Sequence, residues 1–139
     1  MKKLQALVLS PMDASYERVA EVIEIALKQA GVTPMLPRDM IWKSNRDVLD
    51  IMTNAIQEAD IIVADVSHNS PNVFVELGFA LAFRKPTMIL LSTDAVGKIP
   101  SDLAGYLMAT YNPDDLASLR GTISHFIKYQ ESRWNGKNV

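Results

Sequence analysis

The sequence predicts an α/β fold: a doubly wound three-layer sandwich around a five-stranded parallel sheet in the order 2-1-3-4-5. Three observations carry this. Short apolar runs alternate with longer segments of helical period, five times along the chain. The runs are apolar almost throughout, as strands buried on both faces are, so the sheet is parallel and covered by helices on each side. The chain has 139 residues, 48% hydrophobic and 22% charged, which suits one globular unit with a substantial core. Residues 1–133 read as that single domain and 134–139, from Trp134, as a polar tail.

Leu4 to Leu9 is the first strand, ended by Ser10-Pro11-Met12-Asp13. A helix capped by Asp13 or Ser15 follows, with the stripe Val19, Val22, Ile23, Ala26, Leu27 and Ala30, and Gly31 stops it. Val32 to Leu36 is a short second strand, and its Pro34 places it at the sheet edge. Pro37 to Ser44 reads as a loop carrying Arg38, Asp39 and Trp42, before a helix from about Asn45 to Ala59. Ile61 to Asp65 is a buried third strand, and Ser70-Pro71 opens the next helix as cap and first residue. Lys85-Pro86 ends that helix before a fourth strand, Thr87 to Leu91. Ser92 to Gly105 is a long connection suited to a lid or binding loop. Tyr106 to Tyr111 is the fifth strand, and Asn112-Pro113-Asp114-Asp115 reads as the start of the last helix.

Composition excludes several function classes. The net charge is −2 with no basic block, against a dedicated binder of nucleic-acid polymers. Without cysteine there is no disulfide, thiol nucleophile or cysteine zinc site. The two histidines, His68 and His125, lack metal-ligand spacing, so neither a metal nor another cofactor is expected. No apolar run reaches the roughly eighteen residues of a membrane span, and the first residues do not pattern as a signal peptide. A cytoplasmic protein is the expectation. The glycine-rich motifs of dinucleotide enzymes and P-loop proteins are absent, as is the G-x-S-x-G elbow.

The chemistry concentrates around residues 60–83. From Val73 to Phe83, Glu76 is the only charge. A carboxylate in apolar surroundings is unfavourable unless paired or hydrogen-bonded, which makes Glu76 the leading catalytic candidate. The alternative is a structural pairing with Arg84, Lys85 or Arg38. Glu76 lies in the second turn of a helix that follows a strand, near the edge where open parallel sheets hold ligands. Small residues at Gly78 and Ala80 would let that helix approach the sheet or a ligand. Asp65 at the third strand's end is the second catalytic candidate, since paired carboxylates suit chemistry at a sugar anomeric carbon. The helix N-terminus offers N–H groups to an anion.

Ser10 and Ser67 can meet a sugar or phosphate, or serve as ordinary turn residues. Trp42 can stack on a base or cover the core; Arg38 can meet a phosphate or pair with Asp39. His68 can relay a proton or stand in solvent, and Tyr106 and Tyr111 read as core or interface residues.

The pattern Ala59-Asp60-Ile61-Ile62-Val63-Ala64-Asp65-Val66-Ser67, then Asn69 to Ala80 with Pro71-Asn72-Val73-Phe74-Val75-Glu76-Leu77-Gly78, then Lys85-Pro86, resembles the nucleoside 2-deoxyribosyltransferase-like family. It is most similar to the short members described as TIR-like nucleotide-binding proteins. The likeness extends to Leu7-Val8-Leu9-Ser10-Pro11-Met12 and to Ile99-Pro100-Ser101-Asp102-Leu103. It implies a flavodoxin-like fold and a glutamate nucleophile at Glu76 that forms a glycosyl intermediate. It further implies Asp65 as the residue holding sugar hydroxyls. Taken with the readings of single residues above, the expected ligand site is drawn from Ser10, Pro11, Met12, Arg38, Trp42, Ser67, Asn72 and Gly78. The implied ligand is a nucleoside, a nucleotide or an NAD-like molecule. The implied assembly is a homodimer or higher homo-oligomer in which a neighbour's loop or tail closes the site. Transferases of the family carry an aromatic residue in the first-strand loop and an acid shortly before the glutamate; here Ser10, Met12, Ser70 and Asn72 stand there. Hydrolysis, including TIR-like NAD hydrolysis, or non-catalytic nucleotide binding on the same fold therefore stands beside base exchange.

Overall fold

The computed structural model describes residues 3–11, 13–41, 47–95 and 108–137. Five strands, β1 (Gln5–Leu9), β2 (Thr33–Met35), β3 (Ile61–Asp65), β4 (Thr87–Ser92) and β5 (Met108–Tyr111), form one sheet in the order β2-β1-β3-β4-β5. Every pairing is parallel. The helices are α1 (Glu17–Gln29), α2 (Pro37–Ile41), α3 (Val48–Glu58), α4 (Pro71–Ala82) and α5 (Ala117–Lys137). The expected flavodoxin-like architecture and strand order are those observed.

Strand alternation divides the core into two layers. Ala6, Val8, Ile61, Val63, Met88 and Leu90 face one side, where α1 and α5 pack through Val19, Ile23, Leu27, Leu119, Ile123 and Ile127. Leu7, Leu9, Ile62, Ala64, Ile89 and Leu91 face the other, where α3 and α4 supply Met52, Ile56, Val73, Leu77 and Ala80. Each helix pair thus covers one face of a sheet that is apolar on both.

Both helices that precede sharp returns into the sheet end in the same way. At α1, Gly31 has φ +79°, its N–H bonds Lys28 O, and Val32 N–H bonds Leu27 O. At α4, Arg84 occupies the equivalent left-handed position at φ +56°, with Arg84 N–H to Leu81 O and Lys85 N–H to Ala80 O. Lys85 Nζ then donates to Gln57 O at 2.7 Å and Ala59 O at 2.9 Å, which satisfies carbonyls at the end of α3.

Several expected boundaries change. The loop from Pro37 opens with the short helix α2, because Pro37 is tolerated in a first turn. The described part of the third helix starts at Val48, with Asp47 Oδ1 accepting from Leu49 N–H at 3.0 Å. Asn112 does not start the last helix. Its Oδ1 accepts from Asp114 N–H at 2.9 Å and its carbonyl from Asp115 N–H, a local turn that delays α5 to Ala117. At the other end α5 continues through Trp134 to Lys137, so the start of the expected polar tail is helical. Tyr106, the Ile99–Leu103 stretch and most of the long connection lie outside the described residues. Among the described residues no helix is long and apolar enough to cross a membrane.

Candidate functional site

The C-terminal ends of β1, β3 and β4 carry the polar residues at which the sheet meets solvent. Asp65 ends β3 and is 1% exposed. By strand parity it lies on the same side as Ile61 and Val63, the α1–α5 side. Its Oδ2 accepts from Tyr16 OH at 2.7 Å and from Tyr111 OH at 2.5 Å, and its Oδ1 from Ser67 N–H at 2.8 Å. Burial, followed by the Asp65 charge, raises both tyrosine hydroxyls well above the usual phenol range, so both remain protonated donors. Ser67 is a strand-end brace: its Oγ accepts from Ser92 N–H at 2.7 Å and lies 3.4 Å from Tyr111 OH. The Asp65 carboxylate is thus enclosed by donors from the chain itself.

Glu76 presents the opposite case. It lies in the second turn of α4, beside Val73, Leu77 and Ala80, which seat the helix on the other face of the sheet. It is half-buried. Among the described residues it has no hydrogen bond or ion pair. Burial alone raises its carboxyl from 4.5 to about 7. The structural pairings weighed from sequence are not formed: Arg38 approaches Glu24 at 3.6 Å and Asp39 at 3.9 Å, and Lys85 is committed to the end of α3. Nor do the two carboxylates pair. They approach the sheet edge from opposite layers, and no charge contributes to the shift at Glu76.

A cleft of about 240 Å³ lies on the β2 side of β1, lined by Ser10, Pro11, Asp13, Tyr16, Leu36 and Arg38 among others. It brings together three of the expected ligand residues, Ser10, Pro11 and Arg38, and its described lining includes neither Glu76 nor Asp65. Hydrogen bonds from Ser15 hold Asp13 at this rim below the usual carboxylate range. Tyr16 joins the cleft wall to Asp65, and exposed His68 packs edge-on against the Tyr16 ring, with centroids 5.3 Å apart. Asn72 is exposed in the first turn of α4. Gly78 does not mediate a close approach to the sheet: a Cβ there would meet nothing within 4 Å, because the residue lies off the buried stripe, and Ala80 is the small contact residue. Met12 and Trp42 lie outside the described residues.

Sequence reasoning does not identify Tyr16, and it reads Tyr111 as a core or interface residue without its hydroxyl's role. The available signal was Asp65 itself, since an aspartate ending a fully apolar strand needs donors.

The fold and the sheet-edge polar residues define a flavodoxin-like α/β protein. No protein-family model matches the chain, and no curated protein does. Solved structures share its fold. One is a CMP N-glycosidase, BcmB, from Clostridium botulinum, at 19% identity and TM-score 0.62, covering 79% of this chain and 91% of that one. Another is a 2-deoxyribosyltransferase from Bacillus psychrosaccharolyticus, at 17% identity and TM-score 0.63, covering 86% and 95%. A 2-deoxyribosyltransferase from Leishmania mexicana aligns at 21% identity and TM-score 0.51 over 63% of this chain, which spans 64% of its length. A response regulator receiver domain from Bacillus halodurans has the same fold at 13% identity and TM-score 0.56, over 90% and 97%. The fold is therefore shared by enzymes acting on nucleosides or nucleotides and by a signalling domain, and function rests on the site.

Proposed function

We propose that this chain cleaves or transfers the N-glycosidic bond of a nucleoside or nucleotide through Glu76. The observation that carries this reading is the half-buried, unpartnered carboxylate of Glu76, raised to about 7 by burial, near the start of a helix that follows β3. The resemblance around Asn72 to Gly78 and the fold shared with N-glycosidic enzymes support it. In the proposed reaction the ionised Glu76 attacks the anomeric carbon as the C–N bond breaks. The base leaves with the bonding pair and is protonated. Water, or a second base, then attacks the glycosyl ester and frees Glu76. The cleft lined by Ser10, Pro11 and Arg38 receives the part of the ligand remote from the bond.

The experiment is incubation with a panel of nucleosides, nucleotides and NAD, followed by chromatography for free base. Release by the wild type and none by Glu76→Gln is the expected result.

A second reading, a non-catalytic nucleotide-binding module, is favoured by one observation: the described cleft lining does not include Glu76. Saturable nucleotide binding without base release from any panel member would establish it.

The assembly proposed is a homodimer through α4 and α3. The outer side of α4 exposes Val75 (56%) and Phe83 (39%), and Leu49 (52%) projects from α3. A helix that is apolar around most of its circumference is characteristic of buried positions. Light scattering across a concentration series, with Val75→Asp as the disrupting variant, tests this; a single-chain mass at high concentration refutes it.

A further inference from the structure

We infer that Asp65 is a positioning residue for Glu76 and not a ligand of the sugar. The inference rests on the role proposed for Glu76 and extends it to the groups that place that side chain. Asp65 is closed from solvent, and both its oxygens are occupied by Tyr16 OH, Tyr111 OH and Ser67 N–H. Oδ1 keeps acceptor capacity, but the carboxylate is buried behind these groups, so a sugar hydroxyl could reach it only by moving one of them aside and leaving that donor buried without an acceptor. The side chain also lies on the α1–α5 face, whereas α4 packs on the other face.

The same bonds fix the route from β3 to α4. The Asp65 Oδ1 bond to Ser67 N–H forms a tight turn at the strand end. Asn69 N–H bonds Val66 O at 3.3 Å, with Asn69 left-handed at φ +53°. Ser70 O then accepts from Phe74 N–H at 3.2 Å, and Pro71 opens the helix. Five residues, 66–70, join strand to helix, so the direction of the Asp65 carboxylate sets where the second turn of α4, and Glu76 with it, stands. Tyr111 supplies the restraint from β5, Tyr16 from the cleft wall, and Ser67 Oγ ties the turn to the end of β4 through Ser92 N–H.

The test uses Asp65→Asn and Tyr111→Phe in the full chain, assayed with adenosine, cytidine and their 2′-deoxy counterparts, alongside hydrogen exchange of residues 66–76. A positioning role lowers kcat of Asp65→Asn by about 10- to 100-fold, by the same factor for ribo- and deoxyribonucleosides and with KM nearly unchanged. Exchange in 66–76 rises about tenfold or more, and Tyr111→Phe moves both readouts in the same direction by less. A KM increase confined to one sugar type, or exchange in 66–76 that stays at the wild-type rate in both variants, overturns the inference. If Asp65→Asn does not fold, Tyr111→Phe decides it by the same readouts. If the wild type releases base from no nucleoside, nucleotide or NAD, the role of Glu76 falls, and the exchange data still decide whether Asp65 holds the turn.

Discussion

Asp65 and Glu76 are eleven positions apart and have opposite surroundings. Asp65 is almost inaccessible and fully satisfied, with three donors on two oxygens. Glu76 is half-buried, keeps some contact with solvent, and has no partner among the described residues. Burial alone does not mark a working group. What distinguishes Glu76 is burial without compensation, which holds its proton near neutrality and leaves its lone pairs available. The more deeply buried carboxylate is the one already used by the fold.

The largest expected effect falls on Glu76. With a substrate in hand, Glu76→Gln lowers base release by about 10³-fold or more while the unfolding midpoint does not fall. Wild-type turnover in that variant would remove the contrast. The reverse holds at Asp65. Asp65→Ala orphans the Tyr16 phenol and the Ser67 N–H, leaves Tyr111 OH only its 3.4 Å contact with Ser67 Oγ, and lowers stability by about 3–5 kcal/mol, read as a shift in the urea midpoint. A change under about 1 kcal/mol would show that the network is dispensable.

The contrast also predicts a pH dependence. The folded state holds the Glu76 proton up to about 7, whereas the unfolded chain releases it near 4.5. A raised carboxylate favours the folded state below 4.5, and that contribution is lost as pH rises toward 7. Above pH 7, Glu76→Gln is therefore more stable than the wild type, by on the order of 1–3 kcal/mol after allowance for residual solvent contact. Denaturation of both proteins at pH 4 and pH 8 checks this, and a difference that does not change with pH contradicts it. Base release through the proposed Glu76 nucleophile, which needs the carboxylate, is expected to rise over the same interval. The smallest effect is at Ser67: Ser67→Ala leaves Ser92 N–H without its acceptor and lowers stability by about 1–2 kcal/mol, measurable by denaturant titration.

Much of this was legible in the sequence. Alternation, apolar strands and Pro34 led to the sheet order and its edge, and a lone charge in an apolar helix pointed to Glu76. Asp65 was legible as a residue but not in its orientation. That depends on strand parity relative to the two layers, and its two tyrosine donors are 49 and 46 residues away along the chain. Asn112 was misread because its side chain can cap a helix or close a local turn, and only the surrounding backbone decides. The end of α5 was missed because the apolar stripe stops near Ile127, whereas the helix propagates further, with the Arg133 guanidinium over the Tyr129 ring at 5.9 Å. Of the two approaches open to Gly78, to the sheet or to a ligand, its angular position on α4 removes the one to the sheet.

The three-residue strand β2 has a consequence for how copies of this chain can meet. Thr33 N–H bonds Leu4 O, so Thr33 and Met35 turn their backbone groups toward β1, and Pro34 between them turns outward. The outer side of β2 therefore presents a proline nitrogen with no hydrogen to give. An incoming strand would find no donor within β2 on which to start a ladder, so the sheet cannot grow by strand addition at that margin. Any contact between copies at the β2 margin is thereby left to side chains and not to backbone pairing.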